Sequence, residues 1–227
     1  MIDHESDLAH VHEATEKLLA AAASLDNAAV AGPSRLPGWT RGHVLAHVAR
    51  NADALVNVLR GLPMYADAAT RDADIERDAG RPPAAQLADV RESAERLRAV
   101  AAGPADWSRT VELRNGVTDS ASRIPFRRWV EVDLHHVDLG IGYELEDLPE
   151  EFTARETAFL ADRFTGLDGV PATTLRSPGG GTWTTGGGTG GVVVTGPAPD
   201  LLGWLAGRRD GTALKTEGGP LPTLPPL

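Results

Sequence analysis

Two stretches of this chain, Gly42-His43-Val44-Leu45-Ala46-His47 and Glu131-Val132-Asp133-Leu134-His135-His136, each place two metal-binding side chains four residues apart. Both stretches lie in segments with helical apolar periodicity, so each pair projects from one helix face. Polar donors on such faces come together when the helices pack side by side, which points to a bundle with ligands in its interior. Two imidazoles and one carboxylate then meet around one point. Three protein ligands with a position left open is the pattern of a catalytic rather than a structural zinc site.

An isolated histidine on a helix is ordinarily a surface residue or a hydrogen-bonded core residue, so the case rests on conjunction. Periodicity by itself leaves open His43 or His47, and His135 or His136. It puts Glu131 and His135 on one face and turns His136 about 100° away. Val44, Val48 and Leu55 lie angularly close to His47, whereas His43 sits nearer the edge of that stripe. His47 is the inward residue on this reading.

Composition narrows the function. The 227 residues suffice for one large domain, or a medium one with a small partner. A net charge of −10, with Lys17 and Lys215 the only lysines, argues against a binder of phosphate backbones. Arginines scattered among acids suit bidentate recognition of small carboxylates. The absence of cysteine excludes disulfides, thiolate-ligated zinc and a protein thiol nucleophile. Met1-Ile2-Asp3-His4-Glu5 lacks the basic and apolar regions of a signal peptide, and no run of about 18 apolar residues occurs. A cytoplasmic protein, monomeric by default, with no nucleic-acid or membrane partner is expected.

The pattern predicts helices over about Asp7 to Leu25, Thr40 to Gly61 with Thr40 as N-cap, Ala84 to Val100, and Pro125 to Gly142. A fifth, about Glu150 to Phe164, is expected to close the bundle. Residues 62–83 read as loop, and 103–123 as irregular with a brief extended run at Thr110 to Leu113. After Gly166 the character changes. Gly190 to Gly196 reads as a buried strand, Pro199 to Gly207 as a short helix and Ala213 to Thr216 as a last strand, with an extended tail over 220–227. The glycine runs at 179–191 read as turns between short strands, since they lack the lysine and following helix of a phosphate loop. Trp39, Trp129 and Trp204 read as core. The expected fold is α+β, a metal-binding helical bundle over 1–166 and a small α/β domain over 167–227. No HExxH, G-x-S-x-G or dinucleotide-binding fingerprint is present.

The segment from Leu36 to Ala52, Leu36-Pro37-Gly38-Trp39-Thr40-Arg41-Gly42-His43 onward, resembles the opening motif of the mycothiol-dependent maleylpyruvate isomerases, within the wider DinB-like metal-binding bundles. Pro63-Met64-Tyr65 with Arg71 to Ile75, Trp129 to Gly140, and Gly203-Trp204-Leu205-Ala206-Gly207-Arg208 resemble later segments of the same family, in order, across nearly the whole chain. The resemblance implies a DinB-like four-helix bundle in which His47, Glu131 and His135 bind zinc. It implies that Asp138 is a polar residue of the site and that Arg71 and Arg208 act there. Read as plain residues, Arg71 is an ion-pair partner for Asp72 or Asp74, and Arg208 a donor to helix C-terminal carbonyls. Arg209 competes with Arg208, which the family pattern favours.

The same resemblance implies cis–trans isomerisation of maleylpyruvate, a small dicarboxylate, to fumarylpyruvate in gentisate-type aromatic degradation. A thiolate adds reversibly to the alkene, and the thiol is a borrowed cofactor, mycothiol or another small thiol such as ergothioneine. Two alternatives keep the bundle. One is a thiol S-transferase acting on another electrophile, which releases a stable thioether. The other is a non-catalytic regulatory bundle whose metal is closed off by a fourth ligand, Asp138, His43 or His136.

Overall fold

The protein, described by a computed structural model over residues 3–103 and 106–226, divides into two compact units, 1–143 and 144–227. The first contains α1 (His4–Ala22), α2 (Asn27–Ala31), α3 (Arg41–Leu59), α4 (Ala68–Ala79), α5 (Pro83–Ala101), a hairpin of β1 (Thr110–Glu112) and β2 (Thr118–Ser120), and α6 (Ile124–Asp138). Helix α1 packs on α5 and α6, and α3 packs on the same two, so these four close a ring. They are the four helices that apolar periodicity predicts.

Helix α4 lies in the stretch read as loop. Its one large apolar residue is Ile75, and it buries only Ile75, Asp78 and Ala79, so no apolar stripe announces it. Capping and docking hold it instead. Asp67 accepts from the Thr70 amide at 2.7 Å, and Gln86 Nε2 donates to the Asp78 and Ala79 carbonyls at 3.1 and 2.7 Å. Gly42 permits the docking, because a Cβ there would stand 2.2 Å from the Ala79 carbonyl oxygen. The short α2 likewise lies where the pattern predicts no helix; Asp26 caps it through the Ala29 amide at 2.8 Å.

In the irregular stretch, β1 and β2 pair antiparallel around Asn115-Gly116, both at positive φ (60° and 72°). Val111 of β1 and the following Leu113 join Leu55, Val58, Leu97 and Ile124 in one apolar cluster. No helix among the described residues is long and apolar enough to cross a membrane.

The second unit contains α7 (Glu150–Arg163), β3 (Pro171–Arg176), β4 (Thr182–Thr185), β5 (Gly187–Thr195), α8 (Ala198–Leu205) and β6 (Lys215–Glu217). Its sheet has the order β4-β3-β5-β6, with β3 and β5 parallel and the outer pairs antiparallel. Here the sequence reading needs correction. Helix α7 does not close the bundle; it packs on α8 and β4. Its buried Phe152, Leu160 and Ala161 define a face that must be covered, but periodicity does not say by what. The compact units therefore part between Tyr143 and Glu144, not at the expected 166/167.

The glycine run also differs, since Gly187 to Gly191 lie inside β5. The adjoining Gly186, at φ 74°, leaves no room for a Cβ, which would fall 2.0 Å from the Pro171 carbonyl oxygen of β3. The described end of the chain, 220–226, has no regular structure, as expected.

Candidate metal centre

Helix α3 starts with a reciprocal cap. The His43 amide donates to Thr40 Oγ1 at 3.3 Å, and the Thr40 amide donates to His43 Nδ1 at 3.2 Å. The other ring nitrogen of His43 pairs with Glu76 at 3.1 Å. Both nitrogens are thus engaged away from the bundle interior, which favours His47 over His43 as the α3 donor. On α6, His136 stacks on Tyr143 with ring centroids 4.0 Å apart, nearly parallel. That leaves His47 on α3 and His135 on α6, both buried.

These two converge on Glu131. His47 Nε2 lies 2.9 Å and His135 Nε2 lies 3.2 Å from the same Glu131 oxygen, Oε2. All three donor atoms fall within 4.8 Å of one another. The two imidazoles meet edge to face, with centroids 4.6 Å apart. Glu131 keeps 33% of its side chain exposed, so the cluster has one face open to a ligand.

Surrounding residues fix this geometry. His135 Nδ1 pairs at 2.9 Å with Asp138 Oδ2, whose residue is fully buried. A carboxylate at Nδ1 holds the proton there and leaves the Nε2 lone pair facing the cluster. The guanidinium of Arg71, on α4, lies 3.3 Å from His47 Nδ1 through Nη2 and pairs with Asp72 at 2.6 Å through Nη1. The ion pair read from sequence and the place at the site therefore coexist. Asp74 instead pairs with Arg77. The Tyr65 ring lies 5.8 Å from the Arg71 guanidinium, and Trp39 tilts over His47 at 5.5 Å.

Electrostatics agree with the geometry. Burial pulls the His47 pKa below its ordinary value, favouring the neutral imidazole that a metal needs. Burial alone would raise Glu131, but the hydrogen bonds from His135 and His47 outweigh it and hold the carboxyl well below the usual range. For His135 burial lowers the pKa, yet Asp138 and Glu131 together turn the shift upward.

Arg208 belongs to the second unit, where its Nη1 donates to the Ala206 carbonyl at 2.7 Å, at the end of α8. This is the helix-terminal contact read from sequence. Its competitor Arg209 is spent on a bidentate pair with Glu146 at 2.7 and 2.8 Å and on Asp200. The tight Gly203, whose Cβ would fall 2.7 Å from Leu145, brings these partners together.

The sequence by itself assigns no role to Tyr65, Asn51 or Arg128; for Asn51 and Arg128 the signal available is a polar residue on the inward side of a helix, whereas Tyr65 lies outside any helix.

The profile described as the mycothiol maleylpyruvate isomerase N-terminal domain matches residues 11–140, more than half of the chain. The chain belongs to this family. The MDMPI C-terminal domain matches residues 147–226. Among solved structures, a mycothiol-dependent maleylpyruvate isomerase is 28% identical, covering 99% of this chain and 97% of its own, with a TM-score of 0.90. A histidine-to-alanine mutant of a mycothiol-dependent maleylpyruvate isomerase matches at 27% identity with the same coverage and TM-score. Among curated proteins none matches in sequence. The family fold, with a helical N-terminal region and a small C-terminal sheet domain, is the fold seen here.

The donor set of this family member fits a divalent metal. Two imidazole nitrogens and one carboxylate oxygen converge, one histidine carries an outer carboxylate, and the Glu131 side chain keeps a solvent-facing side. A closed four-ligand site has less support. His43 and His136 face elsewhere, and Asp138 approaches the far nitrogen of His135.

Proposed function

We propose that this protein is a zinc- and thiol-dependent isomerase that converts maleylpyruvate to fumarylpyruvate, with mycothiol as the borrowed nucleophile. The observation that carries the reading is the convergence of His47, Glu131 and His135 in a family member that has no cysteine of its own. Zinc held by these three residues supplies the positive charge that keeps a thiol deprotonated near neutral pH.

The chain's own residues then have separable tasks. His47 and His135 offer Nε2, and Asp138 fixes the tautomer and orientation of His135. With Nε2 offered to a metal, His47 Nδ1 would carry the imidazole proton and could not accept from Arg71, whose Nη2 would then be available to grip a substrate carboxylate. Trp39 and the apolar flank of α3 limit water around His47.

The reaction needs no net proton or electron transfer. A bound thiol would supply a nucleophile that adds reversibly to the alkene, leaving a single bond free to rotate before the same thiolate departs from the trans product, so that every bond formed is broken again. Arginine side chains beside the substrate stabilise the negative charge that addition develops.

The test is an isomerisation assay on zinc-loaded protein without thiol, then with mycothiol, ergothioneine and glutathione separately. Turnover with one thiol, recovered unchanged, supports the isomerase. A stable thioether product makes the protein an S-transferase. A metal-free His47→Ala protein with full isomerase activity would overturn the role assigned to the site.

A further inference from the structure

Among the described residues, Arg128 is the only arginine or lysine buried from solvent, with 0% exposure. It stands on α6 one turn before Glu131. Its Nη1 donates to the Val48 carbonyl at 2.8 Å and to Asn51 Oδ1 at 2.9 Å. Val48 directly follows His47, and Asn51 lies one turn beyond it on α3. The guanidinium therefore ties the two ligand-bearing helices together at the level of the donors.

Both acceptors are neutral, and Nε and Nη2 have no hydrogen-bond partner among the described residues. Its charge is not cancelled by direct contact. None of the ionisable groups around it makes a direct ion pair with it, and Glu131, one turn on, acts on it only through space. Asp53 on α3 is committed to Arg96 and Arg50. His12 and Glu16 of α1, with Arg91, Glu95 and Arg98 of α5, line the same cavity of about 90 Å³ without bonding to it. Burial brings the guanidinium pKa down to about 10, with the Glu131 and Asp53 carboxylates acting in the opposite direction, so it remains a cation at neutral pH. A buried cation without its own carboxylate is costly, and its field reaches far where water is excluded.

We propose that Arg128 is a positioning residue of the metal centre, which locks α6 to α3 beside the donors and lends the site an unneutralised positive charge that favours an anionic sulfur in the open position. This rests on the metal-centre reading above and adds a residue to it.

The experiment loads wild type, Arg128→Lys, Arg128→Gln and Asn51→Asp proteins with cobalt(II). N-acetylcysteine is then titrated against pH, following the sulfur-to-cobalt charge-transfer band. Asn51→Asp is nearly isosteric, keeps the acceptor for Nη1 and places a carboxylate against the guanidinium, so it tests the charge where Arg128→Gln fails to fold. The expected result is a band midpoint near wild type in Arg128→Lys. In Arg128→Gln and Asn51→Asp it moves up by about one pH unit, a tenfold loss of bound thiolate at fixed pH. A residue that only braced the helices would leave the midpoint of Asn51→Asp unchanged, and that outcome overturns the proposal. If wild type binds no cobalt, the metal-centre reading itself fails, and the proposal with it.

Discussion

Asp138 lies 2.9 Å from His135 Nδ1 while the opposite nitrogen of the same ring lies 3.2 Å from Glu131. One imidazole is thus held between two carboxylates on a single helix, at i+3 and i−4. The outer carboxylate orients the ring and raises its basicity; the inner one is a fellow donor. Removing the outer one leaves all three donors in place. We therefore expect Asp138→Ala to fold and to lose roughly 10- to 100-fold in zinc affinity. Competition with a chromophoric chelator measures this, and an unchanged affinity would remove Asp138 from the site.

Protons and metal compete for the same nitrogens. Asp138 and Glu131 shift His135 upward despite its burial, so the metal-free protein holds its proton more tightly than an ordinary imidazole does. Metal binding must displace it. Affinity should therefore fall as pH drops, with release beginning at higher pH than an unassisted histidine would give. Zinc retained after dialysis over a pH series, read by atomic emission, checks this.

Asp133 is a second buried carboxyl on α6, and it faces away from the centre. Trp129 Nε1 donates to it at 2.6 Å, yet burial dominates and pushes its pKa up to about 6. The native state binds this proton more tightly than the unfolded chain, where the ordinary value is 3.8. Its contribution to stability is fully present below pH 3.8 and is lost as pH rises through 6. At neutral pH the ionised form costs about 3 kcal/mol. Asn at this position keeps an acceptor for Trp129 without the charge. Asp133→Asn should raise Tm by several degrees at pH 7.5 and by much less at pH 4. Equal shifts at both pH values would contradict this account.

Gly42 is where α4 touches α3. A Cβ there would sit 2.2 Å from the Ala79 carbonyl oxygen, a backbone atom that cannot rotate aside. Gly42→Ala should cost about 1–3 kcal/mol by forcing α4 away. Because α4 carries Arg71, activity should fall further than stability explains. Chemical denaturation paired with kcat/KM separates the two effects, and an unperturbed variant would show that the contact relaxes freely.

The bundle was legible because α1, α3, α5 and α6 each carry an apolar stripe at helical spacing, and spacing alone paired Glu131 with His135. The family segments, read in order, named the donors and the arginines. Spacing could not show that His43 is used up in capping α3 and in pairing with Glu76, because Glu76 comes from a helix with no stripe to reveal it. Helix α4 is held by its Asp67 cap, by Gln86 from the next helix and by the gap left by Gly42, and only the last of these joins residues far apart in sequence. For the same reason α7 declared a buried face but not its partner, and found it in α8. Periodicity is a property of one segment and fixes which face turns inward. Which faces meet, which histidine is free to bind and which buried charge goes unpaired are properties of pairs of segments, and those were settled only when the chain folded.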